Sequence, residues 1–211
     1  MKEISPDLWQ TKEYKPYPFL TTHAYLLKAA STNVLIYCTG HQEELDLIQK
    51  MGGISHQFLS HRHEVGPIIK EIKDRFNSKL CCDTAEKPYT EKECLVDIEI
   101  KERTQFENGI LAIPTPGHTS GGCCYLYKSR YGRYLFTGDF FFPSGKQFST
   151  YIVTSDGGSK AISVKSLEII HDLEPDYVFG SAFSGEPYLE VTKEFWHTEI
   201  ERNIRELKCV K

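Results

Sequence analysis

Apolar runs of strand length punctuate this chain from end to end, and the spacers between them change character halfway along. In the first half, AYLLK (24–28) and NVLIY (33–37) are separated by a short polar stretch and read as a hairpin. HQFLS (56–60) and KLCC (79–82) follow, each preceded by a segment of helical period. Residues 42–51 place Leu45, Ile48 and Met51 on one face and stop at Gly52-Gly53; Pro67 then opens a helix carrying Ile68, Ile69, Ile72 and Phe76. The second half runs through LVDIEI (95–100), GILAIP (109–114), CCYLYK (123–128) and RYLFTG (133–138). It closes with helices over 163–173 and 190–207 around the strand DYVFG (176–180). A strand–helix half followed by a strand-rich half predicts an α/β sandwich: two mixed β-sheets flanked by helices, in one domain spanning residues 1–211. The polar, aromatic stretch 141–159 reads as a long loop, of the kind compact domains keep for function.

Composition narrows the function classes. With 40% hydrophobic and 26% charged residues the chain is neither disordered nor fibrous. A net charge of −4 without a basic cluster argues against an extended nucleic-acid site. No apolar run reaches the roughly 18 to 20 residues of a membrane span, and no apolar signal segment is visible at the start. The seven cysteines show no C-x-x-C spacing, so they are expected as small apolar fillers in a reducing cytoplasm, adjacent pairs facing opposite ways along a strand.

The residues with chemistry to offer sit where strands should end. His61 and His63 follow HQFLS, and in extended backbone residues two apart face the same side, so both imidazoles aim at one point. Thr115-Pro116-Gly117-His118-Thr119-Ser120-Gly121 builds a turn that leaves His118 at another strand end, with hydroxyls beside it to orient the ring. Phe136-Thr137-Gly138-Asp139 delivers a carboxylate after a third strand. Three histidines and an aspartate at strand termini are a donor set for a zinc-type site with an open position. Asp139 is the candidate to orient a water or take its proton; without metal it would bond backbone amides after its glycine turn.

In this order and at these separations, His61-x-His63, Pro116-Gly117-His118-Thr119 and Thr137-Gly138-Asp139 resemble the metallo-β-lactamase-fold superfamily. The run Leu35-Ile36 to Gly40 resembles that family's early strand and glycine turn, and the likeness spans about residues 20–185. It implies an αββα sandwich with metal bound at one edge, between the sheets. The departures count as much. The family's H-x-H-x-D-H has Val65 and Gly66 in its last two places, and Gly180-Ser181-Ala182 stands where a late histidine is expected. What remains is one site's set, His61, His63 and His118 with Asp139, so the resemblance implies one zinc ion rather than two. Glu64 is a candidate stand-in for the lost aspartate.

Three functions fit these residues. The first is a hydrolase acting on a small ester, thioester or amide through a mononuclear zinc site. The second is a catalytically silent binding protein that keeps the fold and binds no metal. The third is an iron-dependent redox or oxygen-handling protein. A one-metal hydrolase needs a donor for its leaving group, and Arg62, Tyr151, Ser181 and Ser184 are candidates. The expected partner is a small molecule, with neither nucleic acid nor membrane. Trp196 and Phe195 either dock the last helix on the sheet or form a homodimer contact. His23 and His41 read as turn or strand-edge residues, His56 as part of its strand, and His171 and His197 as helix packing. Cys38 reads as a filler, and Phe140-Phe141-Phe142 as core or site wall.

Overall fold

A computed structural model describes residues 1–17, 20–183 and 185–209. Its first sheet has seven strands in the order Lys2–Ser5, Leu8–Gln10, Tyr25–Lys28, Asn33–Ile36, His56–Phe58, Lys79–Asp83 and Ile98–Ile100. The leading four pair antiparallel, and the predicted hairpin is there, with Tyr25 opposite Ile36. From Asn33–Ile36 onward pairing is parallel, because helices make the crossovers: α1 (Gln42–Lys50), α2 (Ile68–Phe76) and the short α3 (Lys87–Thr90). The second sheet runs Thr104–Gln105, Leu111–Pro114, Cys123–Ser129, Gly132–Gly138, Tyr177–Gly180 and Tyr188–Glu190. Only Gly132–Gly138 and Tyr177–Gly180 pair parallel in it, with α4 (Lys160–His171) as the connection, and α5 (Lys193–Cys209) follows.

Alternation along the strands sorts side chains into layers. Leu8, Tyr25, Phe58, Ala112, Cys123, Tyr125, Phe136 and Phe179 fill the space between the sheets. Their neighbours Ile113, Cys124, Leu126 and Leu135 turn the other way, onto Leu167 and Ile170 of α4 and Trp196 and Ile200 of α5. Leu59, Leu80 and Cys82 meet Ile69 of α2 on the far face. The order is helix, sheet, sheet, helix. Cys81 and Cys82, like Cys123 and Cys124, do face opposite clusters, and all seven cysteines are free thiols. Trp196 is fully buried and donates Nε1 to the His171 carbonyl at 2.8 Å, so it docks α5 on α4. Among the described residues no helix is long and apolar enough to cross a membrane.

Two expectations need correction, and residues 2–22 add strands that the sequence did not predict. The first sheet begins with two strands in residues 2–10, and a small hairpin pairs Tyr14–Tyr17 with Leu20–Thr22; their polar, Pro-containing sequences carry little strand signal. The stretch 141–159 is not a plain loop, since Phe142–Ser144 and Gln147–Ser149 pair and Thr154–Asp156 forms a 3₁₀ turn. Both late helices also start and end differently, α4 at Lys160–His171 and α5 at Lys193–Cys209.

Candidate metal centre

One edge of the sandwich gathers the carboxyl ends of strands from both sheets, where an open α/β sheet leaves its crevice. Strand His56–Phe58 runs into His61, Leu111–Pro114 into His118, Gly132–Gly138 into Asp139, and Tyr177–Gly180 into Ser181. Two glycines make this approach feasible. Gly117 has φ +140, and a Cβ there would lie 2.7 Å from Ser163 Cα; Gly138 has φ +60, and its Cβ would lie 2.7 Å from Ser60 Cβ. Tyr37 locks the second turn, accepting a hydrogen bond from Gly138 N (2.8 Å) and donating to the Phe179 carbonyl (2.9 Å).

The structure brings His61, His63 and His118 together, though not by the extended geometry expected. His61 is extended (φ −165, ψ 173), but Arg62–Glu64 forms a 3₁₀ turn, and that turn swings His63 back beside His61. The three ring centroids lie 4.7 to 5.2 Å apart with planes at 87° to 89°. One ligand nitrogen from each falls within 4.8 Å of the others. The outer nitrogens are all engaged: His61 Nδ1 with Ser60 Oγ (2.9 Å), His63 Nε2 with Asp156 Oδ2 (2.7 Å), His118 Nδ1 with the Tyr151 carbonyl (2.7 Å). That leaves His61 Nε2, His63 Nδ1 and His118 Nε2 facing inward, the last two 3.2 Å apart. His61 Nε2 is buried and makes no hydrogen bond among the described residues, although Asp139 Oδ2 lies 3.4 Å from it. Three imidazoles with anchored backs and inward nitrogens, one of them orphaned, fit a zinc-type ion.

Asp139 Oδ1 accepts from the Ala182 amide at 2.9 Å, so the backbone-bonding role anticipated for it is real, while Oδ2 turns to His61. Burial opposes its ionisation, yet the charge on His61 holds its carboxyl well below the usual range. Burial would likewise depress His61, but Asp139 on one side and Glu64 on the other raise its imidazole. Burial and the neighbouring His61 push His118 down to about 4, leaving it a neutral donor at pH 7. Glu64 does not stand in for the lost aspartate. Its carboxylate accepts from Ser60 N (2.9 Å) and Ser60 Oγ and lies 3.4 Å from His61 Nδ1, behind the ring.

Two carboxylates that composition left unremarked hold the site in shape. Glu86, fully buried at the head of α3, receives Arg62 N (2.9 Å), Arg62 Nε (2.7 Å), Arg62 Nη2 (2.9 Å), Thr119 Oγ1 (2.8 Å) and Gly121 N (3.0 Å). It therefore ties the His61–His63 turn to the His118 turn. Arg62, a candidate leaving-group donor in the sequence, is committed here instead, with its guanidinium 3.4 Å over the Tyr89 ring. Asp156 is the second, 93 positions from the histidine it holds. Its segment wraps His118 through Val153 N to the His118 carbonyl (2.8 Å) and Ser120 N to the Asp156 carbonyl (2.9 Å), so the 150–158 stretch packs on the site. Removing an outer-nitrogen partner of a metal ligand typically costs 10- to 100-fold in affinity. Asp156→Ala is thus expected to weaken metal binding by about that factor, read with added zinc by competition with a chromogenic chelator; an unchanged Kd would dismiss the role.

Beside the imidazoles opens a groove of about 540 Å³, lined among others by Cys38, Gln42, Val65, Gly66, Glu71 and Ser181. Val65 and Gly66, where further ligands are absent, form part of its wall, and a Cβ at Gly66 would meet nothing within 4 Å. Cys38 has its thiol pushed up to about 12 by burial and by Glu64, which fits a filler rather than a nucleophile. Ser181 is on the groove, and Tyr151 is 61% exposed with its ring 5.8 Å from that of His118. Ser184 lies outside the described residues. Phe140 and Phe141 belong to the core against α4 and α5. His23 and His41 bond backbone carbonyls of Thr11 and Glu13, and His56 stacks on Phe58.

Comparison with known proteins agrees with this geometry. The family described as the metallo-beta-lactamase superfamily matches residues 24–182. A probable polyketide biosynthesis zinc-dependent hydrolase, PksB of Bacillus subtilis (strain 168), is 30% identical over 105 residues, which is 48% of this chain and 43% of the relative. BaeB of Bacillus velezensis, described in the same words, is 30% identical over 108 residues, 50% of this chain and 44% of its own. The match thus spans less than half the length of either curated relative. Among solved structures, a metallo-beta-lactamase from Pontibacter korlensis superposes with TM-score 0.76 at 15% identity, over 99% of this chain and 98% of that one. The FIM-1 enzyme of Pseudomonas aeruginosa, solved in a mono-zinc form, gives 0.71 at 12% identity, over 95% and 93%. Those likenesses show the fold, and the family match covers most of the sequence. The chain belongs to the metallo-β-lactamase superfamily.

Proposed function

We propose that this protein is a metal-dependent hydrolase of a small ester, thioester or amide, working with a single zinc ion. The observation that carries this is the asymmetry of the site: three imidazoles with anchored outer nitrogens converge on one side, while Val65, Gly66 and Ala182 offer no side-chain donor on the other. His61 Nε2, His63 Nδ1 and His118 Nε2 would hold the ion. A zinc ion so bound lowers the pKa of water to about 7 and polarises a carbonyl. Asp139 Oδ2, ionised and turned toward His61, would orient a water by accepting its hydrogen bond. With Glu64, Glu71 and Asp139 and no lysine or arginine among its described lining residues, the groove suits an acyl group without negative charge. Ser181 and Tyr151 remain as donors for the leaving group. The relatives named as zinc-dependent hydrolases support the class, and seven free cysteines support a reducing, cytoplasmic setting.

The test is metal analysis of protein purified without added metal, followed by assays on an activated ester and an acyl thioester before and after chelation. About one zinc per chain is expected, with hydrolysis lost on chelation and restored by zinc. Two ions per chain would overturn the mononuclear site. No metal and no hydrolysis after zinc addition would make this a silent binding protein, and iron with oxygen consumption would make it a redox protein.

A further inference from the structure

The carboxylates that line the groove divide into two kinds. Glu64 and Asp139 each lie 3.4 Å from a ring nitrogen of His61, so their charge is directed at the metal end. Glu71 faces no such partner. It stands half-buried in the first turn of α2, accepts a hydrogen bond from the neutral Gln42 amide, and has no salt bridge among the described residues. The cations that share the adjoining surface with it are engaged elsewhere, Lys70 with Asp74 and Arg75 with Asp46 at 2.6 Å. Its position also counters the positive helix end that Pro67 and Ile68 would otherwise present to an anion. Tyr14 adds an aromatic ring to the same lining, 38% exposed and packed edge-on against His41 at 5.6 Å. The ring has room because residue 40 is glycine, since a Cβ there would fall 2.3 Å from Tyr14 Cε2. At the metal end the buried, unpartnered His61 Nε2 marks where a ligand is held.

We infer that the substrate's acyl chain ends in an ammonium group, primary or quaternary, and that Glu71 selects it, which rests on the hydrolase reading above and adds the substrate's charge to it. An ammonium group entering the groove meets a carboxylate that lacks a cation, and an exposed aromatic ring is a common second partner for such groups. A chain ending in carboxylate would instead meet like charge from Glu64, Glu71 and Asp139. A neutral alkyl chain of the same shape gains contact with Val65, Pro67 and Ile68 but no ion pair. Because Glu71 is partly solvated, the discrimination is modest and declines with salt.

Three activated esters with one acyl skeleton test this on the zinc-loaded full chain: one ending in trimethylammonium, its neutral isostere ending in tert-butyl, and one ending in carboxylate. Wild type is expected to prefer the ammonium ester over the isostere by about tenfold in kcat/KM, with the carboxylate ester poorest. Glu71→Gln should reduce that ratio to about twofold or less, and Glu71→Lys should turn the preference toward the carboxylate ester. Tyr14→Leu should lower the ratio by about threefold. Raising ionic strength to about 1 M, where the Debye length is about 3 Å, should shrink the wild-type ratio and leave that of Glu71→Gln unmoved. Equal turnover of the ammonium and tert-butyl esters, or a preference that survives in Glu71→Gln, would overturn the assignment. Methyl ketones carrying the same two acyl skeletons, titrated by NMR into the chelator-stripped chain, separate this from catalysis. The ammonium ketone should bind about tenfold tighter than its isostere, and Glu71→Gln should remove the difference. If no ester is hydrolysed but the ketones are discriminated, the hydrolase reading fails and the ammonium site stands. If the esters are hydrolysed without discrimination, the hydrolase reading stands and the ammonium site fails.

Discussion

Replacing Glu86 with alanine is expected to lower folding stability by about 3–5 kcal/mol, measured as a shift in denaturant midpoint. The carboxylate is fully buried and receives five donors, three from Arg62 and one each from Thr119 and Gly121. Truncating it leaves a buried guanidinium uncompensated, and breaking a buried pair from one side is the costly way to lose it. Gly121 adds to the constraint, since a Cβ there would sit 2.9 Å from Glu86 Oε1. Glu86→Gln should cost less, because an amide oxygen still accepts while its NH₂ faces donors. The pH dependence has a definite sign. Burial would raise the Glu86 carboxyl, but Arg62 and Thr119 hold it below its ordinary 4.5. Its contribution is therefore complete above about pH 4.5 and declines as pH falls through the lower folded-state value. Glu86→Gln should flatten that part of the acid titration. A Glu86→Ala loss under about 1 kcal/mol would mean that water replaces the carboxylate, and the idea of a buried clamp would go.

On the proposed one-zinc reading, His118→Ala should weaken zinc binding by about 100-fold or more, with hydrolysis at limiting zinc falling in step. Structural zinc sites bind with about 10–16 kcal/mol over four positions, so each ligand carries roughly 3 kcal/mol, or two orders of magnitude. Of the three imidazoles His118 is the one best prepared to ligate: buried, neutral at pH 7, and fixed through Nδ1 to the Tyr151 carbonyl. The measurement is a competitive titration against a chelator of known affinity, and a change below threefold would remove His118 from the ligand set. Asp156→Ala, which leaves all three inward nitrogens in place, should fall between this variant and wild type.

Much of the fold was legible because apolar period and burial agree. Runs such as CCYLYK and RYLFTG lie central in a sheet covered on both faces, so hydrophobicity marks them. The strands of residues 2–22 escaped notice because edge pieces such as KEIS and YKPY are half polar and depend on tertiary pairing. In the site, the histidines stood out because few alternatives place so many at strand ends. Their supports did not. Glu86 sits in TAEKPYTEKE, which reads as a solvated surface, and Asp156 sits in a polar stretch far along the chain. Both acquire meaning only when folding brings residues 24 and 93 positions apart into contact. The direction in which His63 points was also beyond a two-residue periodicity argument, because the backbone leaves the extended form at Arg62.

The anchored outer nitrogens also bear on kinetics. The rings of His61, His63 and His118 are held by Ser60, Asp156 and the Tyr151 carbonyl, so their rotamers and tautomers are set during folding rather than at the moment of capture. Metal uptake by the apo-protein should accordingly be a single second-order process. Its observed rate should rise linearly with zinc concentration in stopped flow, with no slow plateau from a rearranging loop.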